Sequence, residues 1–472
     1  MRKPVPSKTL LGKPLLATLL ACLVATPAIA ETSFQATLEG MAVLPALTLI
    51  QPPADAPAEA RLAGRYTGAG NLREDRPGSI PATTGPAPQG RATGVSLPLN
   101  GQAVQGFSGI KPVAGEPGAY WVLTDNGFGT RRNSADALLM LHKVRPDFRT
   151  GQVAVERTIF LSDPDRRVPF RITYEGTERR YLTGADLDIE SIQPVAGGFW
   201  IGDEFGPYLI EVDAEGRVRR VVETVLDGQP LISPDHHSLQ VPATPTAGTP
   251  FRVRRSGGFE GMAQSPDGQT LYALVEQPLF RPGTDQAEGP FLRILEFSVP
   301  RGAWTGRAMR FRLSEGATNI GDFNMVDERR ALIVERDNGE GDPSLACAEG
   351  RNPPGCFATP ARVKRVTLVD LGAVDGEGFV RRIGSIDLMA IRDPEGVARQ
   401  RGEAGRGDLG PDVPRDRFSF PFFTIENVAV VDADHIIVGN DNNLPFSAGR
   451  HLARPDDNEL ILLRVPELLR AR

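Results

Sequence analysis

Short apolar strands recur along this chain in matched pairs. In each pair the first strand opens on a small or acidic polar residue, and a second, 13 to 17 residues on, ends in a carboxylate or amide. The five pairs run Ser108 to Asp125, Glu190 to Asp203, Glu260 to Glu276, Asp322 to Glu335 and Glu426 to Asn440. They read FSGI with YWVLTDNG, DIESI with FWIGDEFG, FEGMA with LYALVEQ, IGDF with ALIVERDNG, and IENVAV with HIIVGNDNN. Runs rich in β-branched and aromatic residues, bounded by Gly, Pro, Asn and Asp, are strand signals. A strand unit repeating every roughly 60 to 100 residues cannot bury its apolar face alone, and so predicts radially stacked sheets.

The third repeat supplies the template. Segments 259–265, 271–276, 292–299 and 308–313, with a Pro266-Asp267-Gly268 turn after the first, predict four antiparallel strands, one blade of a β-propeller. Third strands fall at 137–144, 208–212, 363–369 and 459–465 in the other repeats. The last of these has no fourth strand after it, so a strand from the N-terminal part, with 94–99 as the candidate, is expected to close the ring and cover an open sheet edge. The expected fold is all-β: a propeller of five four-stranded blades, with a sixth left open by the irregular segment 31–100, and the propeller itself over 101–472. Turns between first and second strands are short, as at Gly197-Gly198 and Asp432-Ala433-Asp434. The connections 126–136, 161–187, 277–290, 337–361 and 393–417 are long. One face of the disc therefore carries the insertions, and long loops on a rigid scaffold serve binding or catalysis.

Composition sets the compartment. Arg2, Lys3, Lys8 and Lys13 precede the apolar run 15–25, and Ala28-Ile29-Ala30 follows. That order is a secretory signal peptide over 1–30 with the mature chain starting near Glu31. Leu19-Leu20-Ala21-Cys22 offers a rival lipoprotein cleavage at Cys22. No later run approaches the ~20 apolar residues of a membrane span. A periplasmic or secreted protein follows. Removing four positive charges and no negative one takes the formal net charge from −6 to about −10. An acidic surface argues against nucleic acid as a partner. After the leader only Cys347 and Cys356 remain; they bracket CAEGRNPPGC, and in an oxidising compartment they predict a disulfide.

The first and last residues of each strand pair meet at the long-loop rim. Ser108, Glu190, Glu260, Asp322 and Glu426 are expected around the channel mouth. Asp125, Asn126, Asp203, Glu204, Glu276, Glu335, Asn440, Asp441 and Asn442 should lie just outside them. So many converging carboxylates repel one another and raise their own pKa values. Three arrangements answer that repulsion: a hard divalent cation such as calcium, which takes oxygen ligands; the neighbouring Arg131, Arg132 and Arg336; or backbone amides of the adjacent blade. Other chemistry lacks its motifs. There is no G-x-S-x-G elbow and no H-E-x-x-H, and His236-His237 reads as a solvated pair in a polar loop.

GFSGI, DLDIES, GFEGMAQSPDGQTLYALVE, LIVERD and IENVAV with GNDNN together resemble the phytase-like family, "esterase-like activity of phytase", over about 105–465. The resemblance implies an exported β-propeller with esterase or phosphoesterase activity. The sequence departs from the repeated E-G pattern at Glu190-Ser191 and Glu426-Asn427, and Ser108 replaces the acid in the first repeat. The expected function is metal-assisted hydrolysis of a small anionic or ester substrate by a monomer. In it Glu190, Glu260, Asp322, Glu426, Asn427 and Asn442 hold calcium or a similar cation, Glu204 or Glu335 activates water, and Arg131, Arg132 or Arg336 engages the substrate. The alternative is a non-catalytic ligand- or protein-binding propeller of the cell envelope, since fold alone does not choose between them.

Overall fold

Alternating apolar positions along the paired segments produce five antiparallel sheets of four strands each, the first and fifth joined at one edge by a Val43–Gln152 bridge and the fourth extended by a short parallel strand, in the computed structural model, which describes residues 1, 31–67, 91–239, 245, 248–400, 414 and 416–472. The leader reading, the Cys22 alternative and the Pro/Gly-rich stretch 76–90 lie outside the described residues. The first sheet is Phe107–Pro112, Tyr120–Thr124, Met140–Asp147 and Gln152–Phe160. The second is Ile189–Val195, Gly198–Asp203, Tyr208–Asp213 and Val218–Glu223. The third is Phe259–Gln264, Thr270–Val275, Phe291–Ser298 and Ala303–Arg312. The fourth is Asn319–Met325, Arg330–Arg336, Lys364–Val374 and Val380–Asp387. Thr424–Val430, His435–Asp441 and Asn458–Arg464 begin the fifth.

The fifth sheet is completed by Thr37–Leu44, which runs antiparallel to Asn458–Arg464 from Thr37 opposite Arg464 to Leu44 opposite Asn458. Segment 94–99, the candidate read from sequence, does not take that place. Pro98 has no N–H to give a ladder, and Leu99 makes only a bridge to Ala63. Thr37–Leu44 suits the role because Leu38, Met41, Ala42 and Leu44 bury their side chains. The other described N-terminal strands are short: Thr32–Phe34 adds parallel to Val380–Asp387, and Leu49–Ile50 pairs with Gln102–Ala103. Among the described residues they build no sixth four-stranded sheet.

The first strands of the five sheets pack side by side in a closed ring, first against second, second against third, and fifth back against first. This is the β-propeller arrangement, and its cores lie between successive sheets. Leu123, Leu141, Ile192 and Ile201 fill the space between the first and second sheets. Leu274, Ile294, Phe323 and Ile333 do so between the third and fourth, and Leu332, Val366, Val428 and Ile436 between the fourth and fifth. Cys347 and Cys356 are bonded to each other in the long connection after Arg330–Arg336. Closing so short a loop contributes roughly 2 to 3 kcal/mol in the chain-entropy account.

Candidate functional site

The repeated acidic residue has a backbone cause: every innermost strand is bulged where it occurs. In the second sheet Ile189 opposes Asp203 and Ser191 opposes Gly202, which leaves Glu190 unpaired. Glu260 is skipped between Phe259 and Gly261, and Glu426 between Ile425 and Asn427. Gly109 is skipped in the first sheet, and Gly321 with Asp322 in the fourth. A bulge re-aims a side chain that strict alternation would send to the other face. The small residues beside these bulges answer a second demand, close approach of the neighbouring sheet. A Cβ on Gly261 would lie 2.8 Å from Phe323 Cβ, and one on Gly321 would lie 1.8 Å from the Ile425 carbonyl oxygen. Ser191 and Asn427, the departures from E-G, exploit the same approach. Ser191 Oγ donates to the Phe259 carbonyl at 3.2 Å, and Asn427 Nδ2 donates to that of Phe107.

Inside the ring the bulged glutamates meet the carboxylates that end the second strands. Asp188, Glu190, Glu204, Glu260, Glu276, Glu426 and Asp441 are buried and Asp125 is half-buried. Burial, then the charges of Asp125, Asp188, Glu260 and Glu426, hold the Glu190 carboxyl well above the usual carboxylate range. Glu204 is raised likewise by burial and then by Glu276, Asp188, Glu426 and Asp125. Glu260 is raised by burial and then by Glu426, Glu276 and Glu204. Glu426 is pushed up to about 7, chiefly by burial, with Arg336 opposing. Arg336 stands among these groups. Its Nη2 lies 2.6 Å from Glu276 Oε1 and 3.7 Å from Glu426 Oε1. Ser108 Oγ donates to Glu426 Oε2 at 2.8 Å, so the serine that replaces the acid in the first repeat serves the acid of the fifth.

Three residues expected at this cluster have other partners. Asp322 accepts from the amides of Phe323 and Val428, at 2.7 and 2.9 Å, and lies 3.8 Å from Lys111 Nζ. Asn442 accepts from Gly106 N and donates to the Asp456 carbonyl, which ties the fifth sheet to the first. Glu335 accepts from Ser314 N at 2.6 Å, Thr367 Oγ1 at 2.5 Å and Arg382 Nη2 at 2.8 Å, all within and around the fourth sheet. Strand alternation explains the split, since Glu335 and Arg336 point to opposite faces. Arg131 is engaged by the carbonyls of Ala185 and Asp235, both at 2.8 Å, while Arg132 is exposed beside it. Glu335→Gln should therefore cost about 3 kcal/mol of stability in urea unfolding, as breaking a buried ion pair does, and leave any effect of cations on melting unchanged. An equal cation response lost in this variant would return Glu335 to the site.

Asp188 is the residue that sequence reading passed over. It lies in DLDIES two positions before Glu190, at the entry to the bulged strand. Asn126 Nδ2 donates to Asp188 Oδ1 at 2.6 Å. One carboxylate oxygen each from Asp125, Asp188 and Glu190 lies within 4.8 Å of the others. The donor set is oxygen throughout, and Glu204 Oε1, Glu260 Oε1 and Asn427 Oδ1 are buried with no hydrogen-bond partner. A buried acceptor without a donor costs about 1 to 3 kcal/mol, and a hard cation is what such oxygens accept. The residues present fit a divalent cation.

Among the described residues no helix is long and apolar enough to cross a membrane. An uncharacterized secreted protein of Arthroderma benhamiae is 30% identical over 101 residues, 18% of this chain and 19% of that protein, so the chain spans about a fifth of that relative's length. Solved structures to which the chain is similar include Myxococcus xanthus glutaminyl cyclase, at 11% identity over 76% of this chain and 91% of that one with a TM-score of 0.33. The periplasmic gluconolactonase of Pseudomonas aeruginosa gives 14% identity over 80% and 98%, with a TM-score of 0.30. The family model described as phytase-like, esterase-like activity of phytase, matches residues 102–444, which takes in all five bulged strands and the acidic cluster between them. The chain belongs to the phytase-like family.

Proposed function

We propose that this protein is an exported hydrolase of small ester or phosphoester substrates, working at the acidic mouth of the ring with a divalent cation held by Asp125, Asp188 and Glu190. The observation that carries this reading is electrostatic. Among the described residues, eight carboxylates crowd about the guanidinium of Arg336, and two of them keep a buried oxygen unpaired. Glu260, Glu426 and Asn427 complete the oxygen donors, and calcium suits such a set better than a softer ion. When bound, the cation polarises an ester or phosphoryl oxygen. Glu204 takes the proton of the attacking water; burial and then the charge of Glu276 raise its carboxyl well above the usual carboxylate range, which strengthens it as a proton acceptor. Arg336 holds Glu276 and Glu426 in place, and the exposed Arg132 meets an anionic substrate at the rim. Export rests on the leader order at 1–30, and the description of the Arthroderma protein as secreted agrees with it.

The test is turnover of aryl carboxylic and phosphate esters by the purified chain in calcium and in chelator. Turnover should require the cation, and Glu204→Gln should lower kcat by about 100-fold without weakening calcium binding. Calcium binding with no substrate turned over would leave a structural ion and favour a ligand- or protein-binding propeller of the envelope.

A further inference from the structure

A group of different chemistry assembles at the end of the second sheet. Val218–Glu223 finishes on Glu223, opposite Tyr208 in the ladder, and the following segment brings His236 and His237 back to the same place. One ligand atom from each of Glu223, His236 and His237 lies within 4.8 Å of the others. The solvated pair expected from sequence is not what forms, since His236 is 5% exposed. In both imidazoles Nδ1 already has a partner. His236 Nδ1 is 2.7 Å from Ser238 Oγ, and His237 Nδ1 is 2.6 Å from the Tyr208 hydroxyl. Nε2 is left over in each, and in His236 it is buried with no hydrogen-bond partner. The rings are fixed as well: their centroids are 4.3 Å apart, and Phe170 stacks on His237 at 5.0 Å and 18°.

We propose that Glu223, His236 and His237 form a site for a transition-metal ion, Zn²⁺ by the chemistry of its donors, built from residues other than those of the acidic mouth. Imidazole nitrogen prefers zinc and its neighbours to calcium. Two imidazoles and a carboxylate leave a fourth position for water or a ligand. A hydroxyl hydrogen-bonded to the far nitrogen is the arrangement that orients a metal-bound histidine. The Ser238 amide donates to His236 Nδ1 at 3.2 Å, which leaves the ring proton on Nε2; an ion at Nε2 would displace that proton and replace this bond by one from Nδ1–H to Ser238 Oγ. Tetrahedral zinc with bonds of about 2.0 Å sets its donors roughly 3.3 Å apart. Rotation of the exposed Glu223 side chain closes the remaining distance.

The experiment titrates untagged, chelator-stripped protein with Zn²⁺ against a chromogenic chelator in excess Ca²⁺, and repeats it with Co²⁺ to read the visible bands of a tetrahedral site. One Zn²⁺ per chain should bind without interference from calcium. His237→Ala should weaken it by about 100-fold or more and Glu223→Gln by about tenfold or more, since loss of a residue that merely orients a ligand already costs about 10- to 100-fold. Glu260→Gln should leave it unchanged, which separates this site from the acidic mouth. Glu223 is exposed, so its variant folds whatever happens to the histidine variant. Native protein that retains no Zn²⁺, or zinc affinity unmoved by both Glu223→Gln and His237→Ala, overturns the proposal.

Discussion

Stripping divalent cations should lower the melting temperature at neutral pH, and calcium at a hundredfold excess over its dissociation constant should restore about 2.7 kcal/mol, roughly 3 °C for a domain of this size. The cause is the crowding of Asp125, Asp188, Glu190, Glu204, Glu260, Glu276, Glu426 and Asp441 around Arg336. Without an ion, folding either ionises these groups against one another or binds protons to avoid it. The metal-free protein should therefore grow more stable on mild acidification. Glu426 has its folded carboxyl pushed up to about 7, by burial first and then by Asp125 and Glu276 against the opposing pull of Arg336. The unfolded value is about 4.3. The folded state thus binds the proton first; the stabilisation is complete below about 4.3 and is lost as pH rises through about 7. Glu260→Gln should reverse sign with conditions, melting above wild type in chelator, where one repelling charge is gone, and below it in calcium. Scanning fluorimetry of both proteins at several pH values measures all of this. Superimposed calcium and chelator traces, with Glu260→Gln shifted alike in both, would make the acidic ring a structural repeat.

Lys111→Met should cost about 3 to 5 kcal/mol, because it strands a buried carboxylate. Lys111 Nζ lies 3.8 Å from Asp322 Oδ1 and donates to Asn324 Oδ1, and Asn324 Nδ2 in turn donates to the Val428 carbonyl. All three side chains are buried. One lysine on the first sheet thus answers a bulge on the fourth, across the ring. Adding Asp322→Asn to Lys111→Met should recover most of the loss, and the double variant should keep the calcium response, since Asp322 is already engaged by Lys111 and by the amides of Phe323 and Val428. Urea unfolding of the single and double variants, each with and without calcium, separates the roles. A neutral Lys111→Met together with an Asp322→Asn that abolishes the calcium response would restore Asp322 as a ligand.

Glu190, Glu260 and Glu426 could be read from sequence because repetition exposed them: an acid at the same point of successive strand pairs implies a common direction. What repetition could not reveal was how each carboxylate is satisfied. Asp322 looks like its counterparts until Lys111, more than 200 residues away in sequence, is seen beside it. Glu335 and Asn442 sit at the predicted strand ends, yet their partners are Arg382 and the Gly106 amide, contacts fixed by side-chain direction and by the neighbouring sheet. The closing strand was misplaced for a related reason. Segment 94–99 and Thr37–Leu44 are both apolar, and only the missing N–H of Pro98 distinguishes a poor ladder member from a good one. His236-His237 failed as a motif because its third member, Glu223, lies in a different element.

The pairing of Thr37–Leu44 with Asn458–Arg464 also orders events in time. The four antiparallel strands of each of the first four sheets come from one continuous stretch of sequence, and Thr32–Phe34, which adds to the fourth, is made before any of them. The fifth joins Thr37–Leu44 to a strand more than 400 residues further on, so the ring stays unlatched until Asn458–Arg464 has been made. The entropy of closing so long a loop rises only with the logarithm of its length, about 0.6 kcal/mol per doubling. The burden of late closure is therefore slowness. Under the export proposed above, that slowness would be useful: the clasp would fasten only after both of its halves had crossed.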